Sequence, residues 1–423
     1  MNVLLVTLGS HGDIFPFLAI GRSLARRGHA CRVATHPWFH AEISAEGLEP
    51  VAAAVSFPMA ELIRHRDLFH RVRGPLLLAR HLAPVQSELA ADVRRIASQS
   101  RVDVIVAHYG ALSARWVAEA LRIPCASAVL APTAWHHPAD RVPTYQIEAG
   151  FGRAAAARIV ARLVDPPLRL ASSGWIRKLR SEAGVGRARG WPSVWDEFRA
   201  GDAVLGLWPE AYRPRLAGDP ERSVLCGFPW SAPASRSLPA PLAEFLDAGP
   251  APVVFTLGSA AVNHPGEFFG RSIEAVRRLG VRAVLLTGRG NPPPAGLPSG
   301  VLAVEWASHA ALFPRARVNV HHAGIGSTAE ALRAGRPSLA VPHAYDQFNN
   351  ALRVGRLGAG LALSRHRLTV QRLVRALDRA IHDESLARRA AELAPSMAAD
   401  GAEAAADAIE RLRPRTETSS AAA

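Results

Sequence analysis

The run Val3 to Leu8, the glycine turn Gly9-Ser10-His11-Gly12-Asp13 and the helix-spaced set Phe17, Leu18, Ile20 and Leu24 leave this chain little choice of fold. A short continuous apolar run reads as a strand buried on both faces, as in a parallel sheet. Gly28 stands where a helix C-cap belongs, and Cys31 to Thr35 supplies the next strand. Two parallel strands joined by a helix require a right-handed crossover, so the chain opens a doubly wound α/β layer.

The rhythm continues. Strands are expected at Val51 to Val55, Val102 to Ala107, Cys125 to Leu130 and Ala203 to Leu207, with helical, arginine-rich stretches over 58–98 and 150–182. Leu76, Leu77, Leu78 and Leu82 set against Arg73, Arg80 and His81 make one of these helices amphipathic, as an ordinary surface helix is. Between Trp208 and Pro250 stand eight prolines, which argues against a regular helix or a central strand there. The rhythm then restarts with strands at Val253 to Leu257, Ala283 to Thr287, Val301 to Val304, Val318 to His321 and Ser338 to Val341. Helices are expected near Glu267 to Leu279, Thr328 to Ala334 and Gln347 to Arg356. We therefore expect two Rossmann-like domains, 1–210 and 251–400, joined by a linker over 211–250 and followed by a helix end and disordered tail over 401–423. With 423 residues, 49% of them hydrophobic, the chain can bury two cores. Ligands of such a pair belong in the cleft outside the carboxyl ends of the strands.

Lys and Arg total 50 against 36 Asp and Glu, a formal charge of +14, and Lys178 is the single lysine. Genomic base composition can produce that arginine bias by itself. The arginines are scattered and not interleaved with aromatics, which argues against nucleic acid. The positive charge suits phosphorylated substrates or a lipid surface. Cys31, Cys125 and Cys226 lie in apolar contexts without metal-type spacing, as buried thiols of a reducing compartment do. The chain starts directly with a strand and lacks the basic lead and apolar core of a signal peptide. The expected location is the cytoplasm, with room for peripheral contact at the inner membrane.

The densest constellation is His321-His322-Ala323-Gly324-Ile325-Gly326-Ser327-Thr328-Ala329-Glu330, directly after an apolar strand. A glycine turn opening a helix frees backbone N–H groups at the positive end of the helix dipole, where phosphate binds. The bland alternative is a plain strand-to-helix turn with a serine cap. The lysine of a P-loop and the third glycine of a dinucleotide fingerprint are both missing. Beyond it, after the next strand, comes Pro342-His343-Ala344-Tyr345-Asp346-Gln347-Phe348-Asn349-Asn350. An acid beside an amide suits the vicinal hydroxyls of a sugar, although an aspartate there also serves as a helix N-cap.

Together these two segments resemble the carboxyl-terminal signature of the family 1 glycosyltransferases, and Gly9 to Asp13 with Pro16 matches their amino-terminal loop. The chain is similar to the bacterial branch that includes the rhamnolipid-forming rhamnosyltransferase and antibiotic and sterol glycosyltransferases. Gly12-Asp13-Ile14-Phe15-Pro16-Phe17, Val254-Phe255-Thr256 and Asp346-Gln347-Phe348 carry the likeness to the rhamnosyltransferase. It spans both halves and is weakest over 56–100 and 140–200.

The resemblance implies the GT-B fold, two Rossmann-like domains facing a cleft, and an inverting transfer from a dTDP- or UDP-sugar to a lipophilic hydroxylated acceptor. It assigns the diphosphate to His322 or its neighbour His321, with Gly324, Gly326, Ser327, Thr328 and Ser259. Glu330 would hold the ribose, Trp306 and His309 the base, and Asp346 and Gln347 the sugar. His309 stands where many members have glutamine. The base would be Asp13, with His11 as the competing candidate. An aspartate is a weak base at neutral pH, yet it can take a hydroxyl proton as the bond to C1 forms. No Asp-x-Asp motif is present and no metal or other cofactor is expected. A sugar-nucleotide 2-epimerase, a dinucleotide oxidoreductase and a non-catalytic accessory protein of a transferase complex are the alternatives.

Overall fold

The computed structural model describes residues 1–70, 73–137, 139–140, 154–186, 190–230 and 238–412. The expected disorder of the tail from Glu417 lies outside them. Two parallel sheets organise the chain. The first holds β1 (Asn2–Val6), β2 (Ala30–Thr35), β3 (Glu49–Ala52), β4 (Val104–His108), β5 (Cys125–Val129), β6 (Ala203–Gly206) and β7 (Ser223–Leu225), in the order β3-β2-β1-β4-β5-β6-β7. The second holds β8 (Val253–Thr256), β9 (Ala283–Leu286), β10 (Val301–Val304), β11 (Val318–His321), β12 (Ser338–Ala340) and β13 (Gly360–Ala362), in the order β10-β9-β8-β11-β12-β13. All the pairings are parallel, so helices must cover both faces. The central strands are accordingly apolar throughout: Val3, Leu4, Leu5 and Val6 in one sheet and Val254 and Phe255 in the other are fully buried. Each such side chain contributes about 1.5–3 kcal/mol by leaving water.

The strand order reverses between β1 and β4 in the first sheet and between β8 and β11 in the second. In doubly wound sheets these reversals open a crevice at the strand ends. The loops after β1 and β11 are the two glycine turns singled out in the sequence.

Several elements depart from the sequence reading. β3 lies at Glu49–Ala52 rather than Val51 to Val55, because its register runs from Arg32↔Glu49 to Thr35↔Ala52 and Ala54 then turns left-handed at φ 54. The proline-rich stretch contains both β7, a short edge strand where proline nearby is tolerated, and a helix at Ala240–Asp247 with proline in its first turn. The helix expected from Thr328 begins at Ile325, with Gly324 extended as its N-cap.

The halves meet through aromatic packing of Phe69 against His264, His343 and Tyr345, and through polar contacts. Arg353 Nη2 donates to Asp140 Oδ2 at 2.6 Å, and the buried Arg213 reaches both Asp140 at 3.3 Å and Asp219 at 2.7 Å. The Tyr212 hydroxyl donates to Asn350 Oδ1 at 2.8 Å, and the Tyr345 hydroxyl donates to the Leu68 carbonyl. After β13 the chain runs through helices Val370–His382 and Glu384–Ala398, and a last helix, Gly401–Glu410, returns to the first domain. There Arg27 binds Glu403, Asp407 and Glu410 at 2.6–2.9 Å, and His29 binds Glu410 at 2.7 Å. No described helix is long and apolar enough to cross a membrane.

Candidate functional site

β1 ends at Val6, and after Gly9 (φ 123) the chain turns into helix His11–Arg26. A Cβ at Gly9 would come within 2.3 Å of Asp13 Oδ2, so only glycine leaves room for that carboxylate. Asp13 Oδ2 accepts from the Ser10 N–H at 2.7 Å and from the Ser10 hydroxyl at 3.2 Å, a capping box that fixes the side chain. Its other oxygen, Oδ1, faces His108 Nε2 at 3.4 Å. His108 is buried at the end of β4, and its Nδ1 accepts the Gly110 N–H at 3.1 Å. His11, two residues before Asp13, leans the other way. Its ring packs edge-on against Phe39 and near Phe15, and Nε2 lies 3.6 Å from Glu42. Burial holds its imidazole below the ordinary value despite Glu42.

On the facing domain, β11 ends in His321, and His322 follows it into different surroundings. His321 is wholly buried, and its Nδ1 accepts the Ala323 N–H at 3.1 Å. His322 is partly exposed, and its ring fills the space beside two glycines: a Cβ at Gly258 or Gly324 would come within 2.2 Å or 2.4 Å of it. Gly258 has φ 71 and opens the short turn after β8 that carries the exposed Ser259. Above this cluster the helix Ile325–Arg333 presents its N-terminus, with Gly326 exposed and the N–H groups of its first turn unused by the helix itself. Ser327 is nearly buried, and Thr328 is fully buried with its hydroxyl facing inward. The Nδ1 of His322 is nevertheless buried, and that desolvation lowers the imidazole well below 6.5, helped by His343, His321 and His309.

Glu330 sits farther along this helix, 2.5 Å from Arg333, and lines a 240 Å³ cavity with Ala310, Pro314 and Ala398. Trp306, after β10, is 49% exposed. His309 stacks flat on Phe313 at 4.3 Å, and burial pushes its pKa down to about 4.

Asp346 occupies the N-cap position of helix Gln347–Leu357 without capping it. Its Oδ2 accepts from Asn350 Nδ2 at 2.7 Å instead. Burial pushes its carboxyl up to about 6; Asn350 opposes this, and Asp13 across the cleft adds to it. Gln347 turns its amide oxygen back onto the N–H groups of His343 and Ala344 at 2.8 and 3.1 Å, leaving its NH₂ as the free end. The cleft thus brings Asp13 and Asp346 within electrostatic reach, with Tyr109 feeling both carboxylates. Among the described residues no group of His, Cys, Asp or Glu is arranged to hold a metal ion.

Sequence reading misses His108 and Tyr109, which close the same site. Their one signal is an apolar strand ending in His-Tyr-Gly, indistinguishable from an ordinary strand end.

Two family models match the chain. A glycosyltransferase family 28 N-terminal domain covers residues 3–136, and an erythromycin biosynthesis protein CIII-like C-terminal domain covers 276–410. The O-mycaminosyltylonolide 6-deoxyallosyltransferase of Streptomyces fradiae is 29% identical, with 95% of this chain and 94% of that protein covered. The sterol 3-beta-glucosyltransferase of Neosartorya fischeri is 27% identical over 97% of this chain, which spans 29% of that protein's length. Among solved structures, the glycosyltransferase of kitacinnamycin superposes with a TM-score of 0.72 at 25% identity, covering 97% of this chain and 98% of that one. Spinosyn rhamnosyltransferase SpnG complexed with thymidine diphosphate does so at 0.68 and 20%, covering 96% and 98%.

Proposed function

The chain belongs to the family 1 glycosyltransferases of the GT-B fold, and on that premise we propose that it moves a hexose or deoxyhexose from a dTDP- or UDP-sugar to a hydroxyl of a lipophilic acceptor, with inversion and without a metal. The observation that carries this reading is the convergence in one cleft of a fixed carboxylate, Asp13, with an anion-ready helix N-terminus and the Asp346–Gln347 pair.

The donor's diphosphate lies over Gly324 to Ser327, where the helix N-terminus carries about half a positive charge. His322, neutral, offers a hydrogen bond rather than a charge. Asp346 accepts from sugar hydroxyls and the Gln347 NH₂ donates to them. The acceptor hydroxyl approaches from the first domain beside Asp13. Its oxygen attacks the anomeric carbon on the face opposite the diphosphate, its proton passes to Asp13, and the C1–O electron pair leaves with the diphosphate. The wholly buried His321 and Thr328 shape the turn from beneath it.

The similar proteins favour lipophilic acceptors, since their names give a sterol and a tylonolide. The thymidine diphosphate complex of a similarly folded protein favours a dTDP-sugar.

Calorimetric titration of UDP and dTDP into the purified protein, with His322→Ala as control, tests the donor site. Micromolar binding of one nucleotide, lost in the variant, supports the reading and names the base. Binding of neither moves the accessory-protein alternative to the front. A transfer assay with EDTA then tests metal independence: an unchanged rate is expected, and a rate abolished by EDTA and restored by Mg²⁺ overturns it.

A further inference from the structure

The formal positive charge at the donor face is largely engaged by the protein itself: Arg365, whose charge acts on His343, donates to the Phe69 carbonyl at 3.4 Å. A nucleoside diphosphate sugar brings an anionic bridge, yet the histidines around its seat are neutral. Burial pushes His309 to about 4, His321 to about 3 and His343 to about 4, and holds His322 well below 6.5. Arg333, on the helix that caps the seat, is engaged by Glu330 at 2.5 Å. The helix end supplies only a partial charge.

Arg289 is placed differently. It stands on the loop after β9, exposed, and makes no hydrogen bond or ion pair among the described residues. Its guanidinium rests over the exposed face of Trp306, 5.2 Å from the ring centroid. Its charge also reaches His11 of the opposite domain, so the side chain hangs in the cleft. The root of its loop adjoins the diphosphate seat: Gly288 packs against Val262, which ends the turn whose Gly258 abuts His322.

We propose that Arg289 is the cation of the donor site: it leaves the Trp306 face, freeing that ring for the nucleobase, and pairs with the diphosphate between the two domains. The proposal rests on the donor site assigned above and adds the residue that supplies its formal charge. An arginine suits the task because its planar fork meets two phosphate oxygens at once and keeps its charge at any working pH. The leaving diphosphate gains negative charge as the C1–O bond breaks, so the pair tightens in the transition state.

The test compares nucleoside diphosphates with the bare nucleosides. dTDP, UDP, thymidine and uridine are titrated into the wild-type chain, Arg289→Gln and Arg289→Lys, at low and at moderate salt. Arg289→Gln is expected to weaken diphosphate binding by roughly 10–100-fold. Nucleoside binding should stay unchanged, and the variant's diphosphate affinity should depend less on salt. Arg289→Lys should fall between. An equal loss for nucleoside and diphosphate would make Arg289 a second stacking plane for the base and overturn the proposal. Unchanged affinity for both overturns it as well. A wild-type chain that binds none of the four refutes the donor site itself, a result separable from failure of the Arg289 assignment alone.

Discussion

Asp13 is fixed by Ser10 on Oδ2, and its Oδ1 faces the buried His108 Nε2 at 3.4 Å. Because His108 Nδ1 accepts the Gly110 N–H, the ring carries a proton on Nε2 and presents a donor toward the carboxylate. In the mechanism proposed above, the histidine thus orients Asp13 and does not replace it as base. His108→Leu is expected to lower kcat about tenfold with little change in either KM, and His108→Gln, which keeps an N–H donor, to retain most of the rate. In an Asp13→Asn background His108→Leu should cost nothing further. A double-mutant cycle in kcat reads this directly, and additive losses would refute the pairing.

In the donor site proposed above, Asp346 is expected to bring a pH dependence. Its carboxyl, pushed up to about 6, is ionised at neutral pH and protonates on mild acidification, losing its capacity to accept from two sugar hydroxyls. Donor KM should therefore rise as pH falls through 6. In Asp346→Asn it should be high and flat across the same range. A pH series of donor KM for both proteins checks this.

The desolvated histidines are expected to make the second domain acid-labile. His309 and His343 titrate at about 4 when folded, against 6.5 for the free side chain, so between those values the unfolded chain binds the extra protons. Stability is full above pH 6.5 and falls as pH drops toward 4. Asp346 acts in the opposite direction between 3.8 and about 6, but it is one group against several. Urea midpoints at pH 7.5, 6 and 5 should decline, and His309→Gln should flatten the decline. A midpoint constant over that range would exclude neutral buried imidazoles.

Gly401 marks a backbone crossing. A Cβ there would sit 2.1 Å from the Gly227 carbonyl oxygen and 2.3 Å from its carbon, with no flexible side chain to move aside. Gly401→Ala is expected to destabilise the protein by about 1–3 kcal/mol. Arg411→Ala, on the same segment, should cost far less. Thermal unfolding of the two variants distinguishes them.

Much of this architecture is written in local patterns. The strands β1, β4 and β8 are largely apolar runs because both faces are covered, and the two glycine turns follow β1 and β11 directly. What escapes has no such pattern. β13 is Gly-Leu-Ala, too short to show a period, and it exists because β12 offers it an edge. β7 hides among prolines that an outermost strand tolerates. His108 is recruited by tertiary proximity alone, far from its partner Asp13 in sequence. Asp346 does stand at a helix-cap position, as its place in the sequence suggests, but its carboxylate turns to Asn350 rather than to the helix backbone.

The return of helix Gly401–Glu410 to Arg26, Arg27 and His29 has a practical consequence for anyone recombining such proteins. The first domain with its supporting helix is not a contiguous stretch of gene. A chimera that exchanges everything before residue 226 while keeping the recipient's own last helix would face a foreign charge pattern on its first helix. Swaps should carry the two segments together, as one cassette in two pieces.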